Sequence, residues 1–456
     1  MKTVRVGAGL GFYGDSWRPV RASIERGGVQ YIASDHLSEL TLAILQKDRQ
    51  RDPSAGYARD GVPMLAELWP LAAKHGVKFV LNAGGLNPEG AREAIARTFR
   101  EKGWKAKIAT VVGDSIHERI DELSAAGETL AHMDTGADIA SVRQRLLFAN
   151  AYLGAQPIAE ALARGADIVL TGRVADAALT LGPLAHEFGW KWDDWDRMAA
   201  GLTLGHLLEC SGQGSGGNFG SASEWAKVPD YAHLGYPIAE VSEDGSALFT
   251  KPPGTGGRVS FDTVRQQLLY EVHNPHAYFS PDVVLDMGTL KFEDQGDDRV
   301  RISGASGAAR PKTLKIVAGY QDGWMGTGMI GFAWPEAYAK CEKSAEVIGT
   351  LVKERGWAVE DTNVEYIGYN SLLGANADPT YRDQLNECFL RMTIRTQDRK
   401  VADAFGRLFP WLGLSGPPFV GSMKGVQPGK ELLGIWPTLV RRDLVEKNVR
   451  IELEQV

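Results

Sequence analysis

The sequence predicts an α/β protein in two parts: an N-terminal doubly wound, mostly parallel, Rossmann-like sheet over residues 1–225, and a C-terminal α+β domain over 226–456. Three observations predict it. Short runs rich in Val, Ile and Ala alternate with helical patterns of matching length through the first half, the signature of a parallel sheet covered on both faces. The second half instead gathers alternating, β-branched strands before laying helices on them. A chain of 456 residues also exceeds what one ordinary core supports.

Val4 to Val6 opens the first strand, which runs into GAGLGFYGD. Gly9, Gly11 and Gly14 fit G-x-G-x-x-G, with Asp15 or Ser16 placed to cap the next helix. VQYIAS forms a second strand, delivering Asp35 and His36 to its carboxyl end. Asp35 follows Gly14 by 21 residues, close to the ribose-binding spacing of a dinucleotide fold. The pattern PMLAELWPLAAKHG is helical, and Pro70 within it predicts a kink or a break. VKFVLNAGG is a third strand ending on Asn82, Gly84 and Gly85, after which Asn87 caps a helix that Pro88 begins and that runs to Lys102. AKIATVVGD is a fourth strand, ending on Asp114.

NAYLGAQPIAEALARG reads as a helix by its apolar spacing, with Asn150 and Tyr152 at its start. ADIVLTGRVADAALTLGP follows as strand, turn and helix, placing Thr171, Gly172, Arg173 and Asp176 at the handover. In open α/β sheets ligands bind at the carboxyl ends of strands. Five such ends here carry polar groups, which predicts one pocket. GLTLGHLLECSGQGSGGNFG adds His206, Glu209 and Cys210, then a loop whose Gly216 and Gly217 are placed to aim amide N–H groups at an anion. Lys251 and Gly256 belong to a second glycine-rich loop, KPPGTGG, which lacks the Walker order. Further on, strands run from DVVLDMGTLKF to GMIGFAW with an Asp322–Gly323 hairpin turn, and a helix follows between Pro335 and Gly356.

A net charge of −7 offers no field for a nucleic-acid backbone. Cys210, Cys341 and Cys388 are too sparse for a disulfide framework and have no metal-ligand spacing, and no metal site is expected. MKTVRVGAG does not read as a signal peptide, and no apolar run reaches the roughly 18–20 residues of a membrane span, so a cytoplasmic protein without a membrane is expected.

The ordered set GDSW, SDHLSELTLAIL, DPSAGYARD, NAGGLNP, the stretch from NAYLGAQP to LAHEFGW, LLECSGQGSGGNF, GYPIAEV, KPPGTGG and QLLYEV resembles the AtuA-type acyclic terpene utilisation family over nearly the whole chain. The resemblance implies a part in citronellol and geraniol catabolism, where intermediates are branched acyl-CoA thioesters. It also implies a small partner subunit of about a hundred residues, the size of a small domain. Where the family commonly has an aromatic-Asp-Tyr-Leu sequence, this chain has Ser34-Asp35-His36-Leu37, which keeps Asp35.

The residues point to a lyase or hydratase acting on a branched carboxylic acid or its acyl-CoA thioester. Arg173 and the loop amides would hold the anionic charge, and Asp35, Asp114, Asp176 or Glu209 would move the proton. Gly9, Gly11, Asn82, Gly84, Gly85, Asn150, Tyr152, Thr171, Gly172, Gly216, Gly217, Lys251 and Gly256 are the expected substrate-binding set. Two alternatives stay open: an NAD(P)-dependent oxidoreductase through Gly9, Gly11, Gly14 and Asp35, and a ligand-binding subunit active only with its small partner. A homo-oligomer is expected, and the cofactor is left unknown.

Overall fold

The computed structural model describes residues 2–220, 223–423 and 426–456. It is a mixed α/β protein with large mixed sheets, divided into two compact units, Met1–Gly319 with Ile435–Val456, and Tyr320–Gly434.

In the first unit the chain runs β1 (Thr3–Ala8), α1 (Arg18–Arg26), β2 (Tyr31–Ser34), α2 (Glu39–Arg51), α3 (Gly61–His75), β3 (Lys78–Leu81), α4 (Pro88–Lys102), β4 (Lys107–Val112) and α5 (Ile120–Ala125). It continues through β5 (Leu146–Ala151), α6 (Gln156–Ala163), β6 (Ile168–Thr171), α7 (Ala178–Phe188) and α8 (Trp195–Glu209). Strands β1, β2, β3, β6 and β4 lie side by side in that order, all parallel. Every residue of β2 and β6 is buried, as strands covered on both faces must be. Helix α3 packs on both α1 and α4, and α7 on both α6 and α8, and both groups reach the parallel strands.

Antiparallel strands extend both edges. β7 (Ile238–Ser242) pairs with β1 and β8 (Ala247–Thr250) with β7, so residues 225 and 226 both fall inside the first unit. After α9 (Phe261–Leu269) come the short strands β9 (Tyr278–Phe279) and β10 (Val284–Asp286), then β11 (Lys291–Asp294) and β12 (Val300–Ser303), which continue the sheet beyond β8. β13 (Ser306–Ala308) pairs with β10, and β14 (Thr313–Ala333) begins beside β5. The strand Arg450–Gln455 closes the far edge on β4.

In the second unit, β14 pairs with β16 (Glu387–Thr396), which pairs with β15 (Asp361–Ile367). Helices α10 (Ala337–Glu354) and α11 (Arg399–Phe405) contact β16, and the core gathers Ile330, Cys341, Ile348, Leu390 and Phe405.

Four local expectations change. NAYLGAQP does not begin a helix: Asn150 and Ala151 finish β5, and α6 starts only at Gln156. The strand is held by a distant partner, with the amide of Tyr152 donating to the carbonyl of Lys315 at 2.9 Å. Pro70 does not break its helix, since α3 runs unbroken through it. The N-cap of α1 is Trp17, which makes no side-chain bond, rather than Asp15 or Ser16; Ser16 still serves the helix start, its Oγ accepting from the amide of Arg18 at 3.4 Å. Asp322–Gly323 makes no hairpin, because β14 continues through it with Gly323 at φ 96°, where a side chain would also meet the carbonyl of Thr396. The cap on α4 is as expected: Asn87 Oδ1 accepts from the amide of Gly90 at 3.0 Å. No helix among the described residues is long and apolar enough to cross a membrane.

Candidate active site

Strands β1, β2 and β6 end on one cavity of about 1160 Å³. β1 runs into Gly11 and Asp15, β2 delivers Asp35 and then Glu39 in the first turn of α2, and β6 delivers Arg173 and Asp176. Tyr152 arrives from the end of β5, Glu209 and Cys210 from the end of α8, Tyr278 from β9, and Lys315 from the start of β14. The carboxyl edge of a parallel sheet is where such a site is expected.

Asp35 is 5% exposed, and its Oδ1 accepts from the amide of Leu37 at 3.0 Å and from Nδ2 of Asn82 at 2.5 Å. Burial pushes its carboxyl well above the usual range and the charge of Asp176 adds to the push. Arg173, Asn82 and the Leu37 amide pull it down without cancelling the rise.

Arg173 is 1% exposed, with Asp176 as its ion-pair partner. Its Nε donates to the carbonyl of Val174 at 2.8 Å and Nη1 to that of Leu37 at 3.1 Å, while Nη2 serves both Val174 and Asp176. A guanidinium has five N–H groups, so these four bonds leave it little to offer a ligand. Its Cζ lies over the ring of Tyr152, 4.4 Å from the ring centre. The Tyr152 hydroxyl donates to Glu39 Oε1 at 2.5 Å, and Lys315 Nζ reaches the same oxygen at 3.2 Å. Burial alone would raise the Glu39 carboxyl, yet the Tyr152 bond and Lys315 outweigh it and bring it down to about 2. Glu39 is therefore a fixed anion.

At the end of α8, His206 Nδ1 lies 2.8 Å from Glu209 Oε1, and Nε2 lies 3.0 Å from the carbonyl of Leu268. Burial raises the Glu209 carboxyl, and His206 only partly opposes this. Burial pushes His206 down, but Glu209 and the Leu268 carbonyl more than offset it and leave the imidazole raised. The Cys210 thiol is pushed up to about 12 by burial and by the charge of Glu209, the wrong direction for a nucleophilic thiolate. Ser211 and Glu271 also line the cavity, both with left-handed backbone at φ 45° and 60°. Such strain in non-glycine residues clusters at functional sites.

The structure brings Gly11, Asp35, Tyr152, Arg173, Asp176, Glu209 and Gly217 to the cavity wall. Several of the other expected residues stand behind it. Asn82 holds Asp35, and Asp114 accepts from the amide of Arg173 at 2.9 Å and from Asn150 Nδ2 at 2.7 Å. A Cβ on Gly172 would lie 2.6 Å from Asp114, so the turn needs glycine for this carboxylate to fit. Thr171 closes on the Gly172 carbonyl and receives the Gly84 amide, while Gly85 donates to Asn82. Gly216 and Gly217 donate to Gln213 and Gly212, so the amides expected to hold an anion are answered within the fold. Lys251 pairs with Asp298 at 2.9 Å and Gly256 packs on the carbonyl of Asp230, both off the cavity wall. Glu39, Tyr278 and Lys315 are wall residues that sequence reasoning missed. Glu39 had a signal, standing four residues past Asp35 in SDHLSEL; the other two come from distant strands.

The G-x-G-x-x-G segment serves packing and internal bonding. Gly9 has no room for a side chain against Ser34, and its amide donates to Ala33. The amide of Gly11 donates to Asp15 at 3.0 Å and that of Gly14 to Asp60 at 2.7 Å. Carboxylates thus occupy the donors a pyrophosphate would need, an arrangement that does not favour a dinucleotide.

A family model described as "Acyclic terpene utilisation family protein AtuA" matches residues 4–451. The comparison with curated proteins found no match, and neither did the comparison with solved structures.

Proposed function

The chain belongs to the acyclic terpene utilisation family AtuA, and from that premise we propose that it is a catabolic enzyme of the lyase or hydratase kind, acting on a branched carboxylic acid or its acyl-CoA thioester. Family membership suggests a role in acyclic terpene utilisation. One observation carries the rest: two carboxyl groups, the buried Asp35 and the part-buried Glu209, line the same cavity and are both raised from the ordinary carboxylate value. Adding or removing water at carbon requires one group to take a proton and another to give one. Carboxyl groups do this best when their affinity for the proton is brought toward neutrality. Phe12, Leu202, Leu234 and Leu314 give the same cavity an apolar wall suited to a branched hydrocarbon. Burial keeps the Tyr278 phenol neutral, a donor for charge developing on a carbonyl oxygen. Arg173 serves here as a clamp that sets Asp176 and Tyr152 in place.

The test is turnover by the purified chain of branched ten-carbon unsaturated acids and their CoA thioesters, read as gain or loss of one water by mass. Conversion of at least one, abolished in Glu209→Gln, supports the proposal. No conversion of any, or equal conversion by Glu209→Gln, overturns it.

A further inference from the structure

Asp35 and Glu209 both reach the cavity, but their surroundings differ in kind. Asp35 meets only neutral donors directly, the Leu37 amide and the Asn82 side chain, both on Oδ1. Glu209 meets an imidazole whose chemistry is constrained from its far side. The carbonyl of Leu268 can only accept, so at 3.0 Å it fixes a proton on Nε2 of His206. One further proton then lies between Nδ1 and Glu209 Oε1, 2.8 Å apart. His206 is 2% exposed, and the Tyr278 ring sits 5.2 Å from its own. Its backbone is held as well, because Gln267 Nε2 donates to the His206 carbonyl at 3.0 Å. The charged groups facing the pair are Asp176 and Glu271, both carboxylates, and Cys210 and Tyr278 stay neutral beside it. A positive charge on the imidazole is therefore answered on several sides.

We propose that His206 is a positioning residue that, as an imidazolium held between Leu268 and Glu209, keeps Glu209 ionised as the base of the site and leaves Asp35 as its protonated acid. This rests on reading the cavity as a proton-transferring site. In the water-eliminating direction, Glu209 takes a proton from a substrate carbon and the C–H electron pair becomes the new carbon–carbon π bond. Asp35 gives its proton to the departing oxygen, which keeps the C–O electron pair and leaves as water. Glu209 ends neutral and Asp35 ends as the anion, and exchange with solvent resets both. Opposite surroundings for two carboxyl groups in one cavity are how acid and base roles are separated: Asp35 has neutral donors on one oxygen, and Glu209 has the imidazole of His206.

Nitrogen-15 spectra of the full chain test the assignment without any substrate. Nine histidines contribute signals, and the one altered in Glu209→Gln belongs to His206. Protonation of both its ring nitrogens at about pH 7, with Nδ1 losing its proton at lower pH in Glu209→Gln, is the expected result. A neutral ring with bare Nδ1 at that pH puts the proton on Glu209 and overturns the role division, while leaving the enzyme reading intact. Conversely, absence of turnover with a doubly protonated His206 sinks the enzyme reading alone. Once turnover is measured, His206→Gln is expected to move the acidic limb of its pH profile upward by about 1–3 pH units; an unmoved limb contradicts the proposal. If His206→Gln does not fold, the wild-type spectrum still decides.

Discussion

Asn82, at the end of one parallel strand, donates its side-chain amide to Oδ1 of Asp35, at the end of the neighbouring strand, over 2.5 Å. The carboxyl edge therefore works in two layers. Asp35, Arg173 and Asp176 face the cavity, and Asn82, Asp114 and Asn150 hold parts of that front layer from behind.

Asn82→Ala removes a donor from a buried carboxyl group. Stability is expected to fall by about 1–3 kcal/mol. The Asp35 proton should also become harder to remove, because the lost bond favoured the charged form. Thermal melts across pH check both. The loss should be larger at alkaline pH, where Asp35 is ionised, than at acid pH.

Asp35→Asn should stabilise the protein at neutral and alkaline pH while removing activity. The folded carboxyl binds its proton more tightly than the unfolded chain does. Its protonated form thus contributes stability that is fully present below the usual 3.8 and is lost as pH rises through the higher folded value. Asparagine carries no such loss, so the difference in Tm between variant and wild type should grow with pH and shrink toward pH 4.

The five strand ends were legible in the sequence because each strand is short, apolar and followed at once by its polar residue. The cap at Asn87 and Pro88 was legible for the same local reason. What local pattern did not carry was β5. Its run LLFANA is followed by a helical rhythm, and its partner is β14, more than a hundred residues away. Local pattern therefore puts Asn150 and Tyr152 on a helix start, where the structure has the end of β5. Lys315, which meets Glu39 beside Tyr152, was invisible for the same reason. The glycine loops divide: Gly11 and Gly217 stand on the cavity wall, whereas Gly9, Gly172 and Gly84 make their close approaches to Ser34, Asp114 and Thr171 of the same fold, which local pattern does not distinguish.

Arg173→Met should destabilise the protein by about 3–5 kcal/mol, the usual cost of leaving one partner of a buried ion pair alone. The figure belongs at the low end because Asp176 is 35% exposed. Arg173→Lys should recover little, since an ammonium cannot reach the carbonyls of Leu37 and Val174 together with Asp176. Urea unfolding of both variants checks this. Full stability in Arg173→Met would remove the clamp from the account.

Gly205→Ala tests whether helix packing sets the site. A Cβ there would lie 2.5 Å from the carbonyl oxygen of Ala177, so α8 must move away from the residue preceding α7. Overpacking of this kind costs about 1–3 kcal/mol. Glu209 stands one turn further along α8, so a fall in turnover larger than the loss of folded protein is expected. Turnover proportional to the folded fraction would show that the position of Glu209 is set elsewhere.

The most direct measurement is incorporation of solvent deuterium into a branched ten-carbon acyl-CoA thioester, followed by mass spectrometry with wild type, Asp35→Asn and Glu209→Gln in parallel. Incorporation at carbon by wild type is expected, with a loss of about 10²–10⁴-fold in each folded variant, the usual contribution of one general acid or base. Incorporation by the variants at the wild-type rate would contradict these roles.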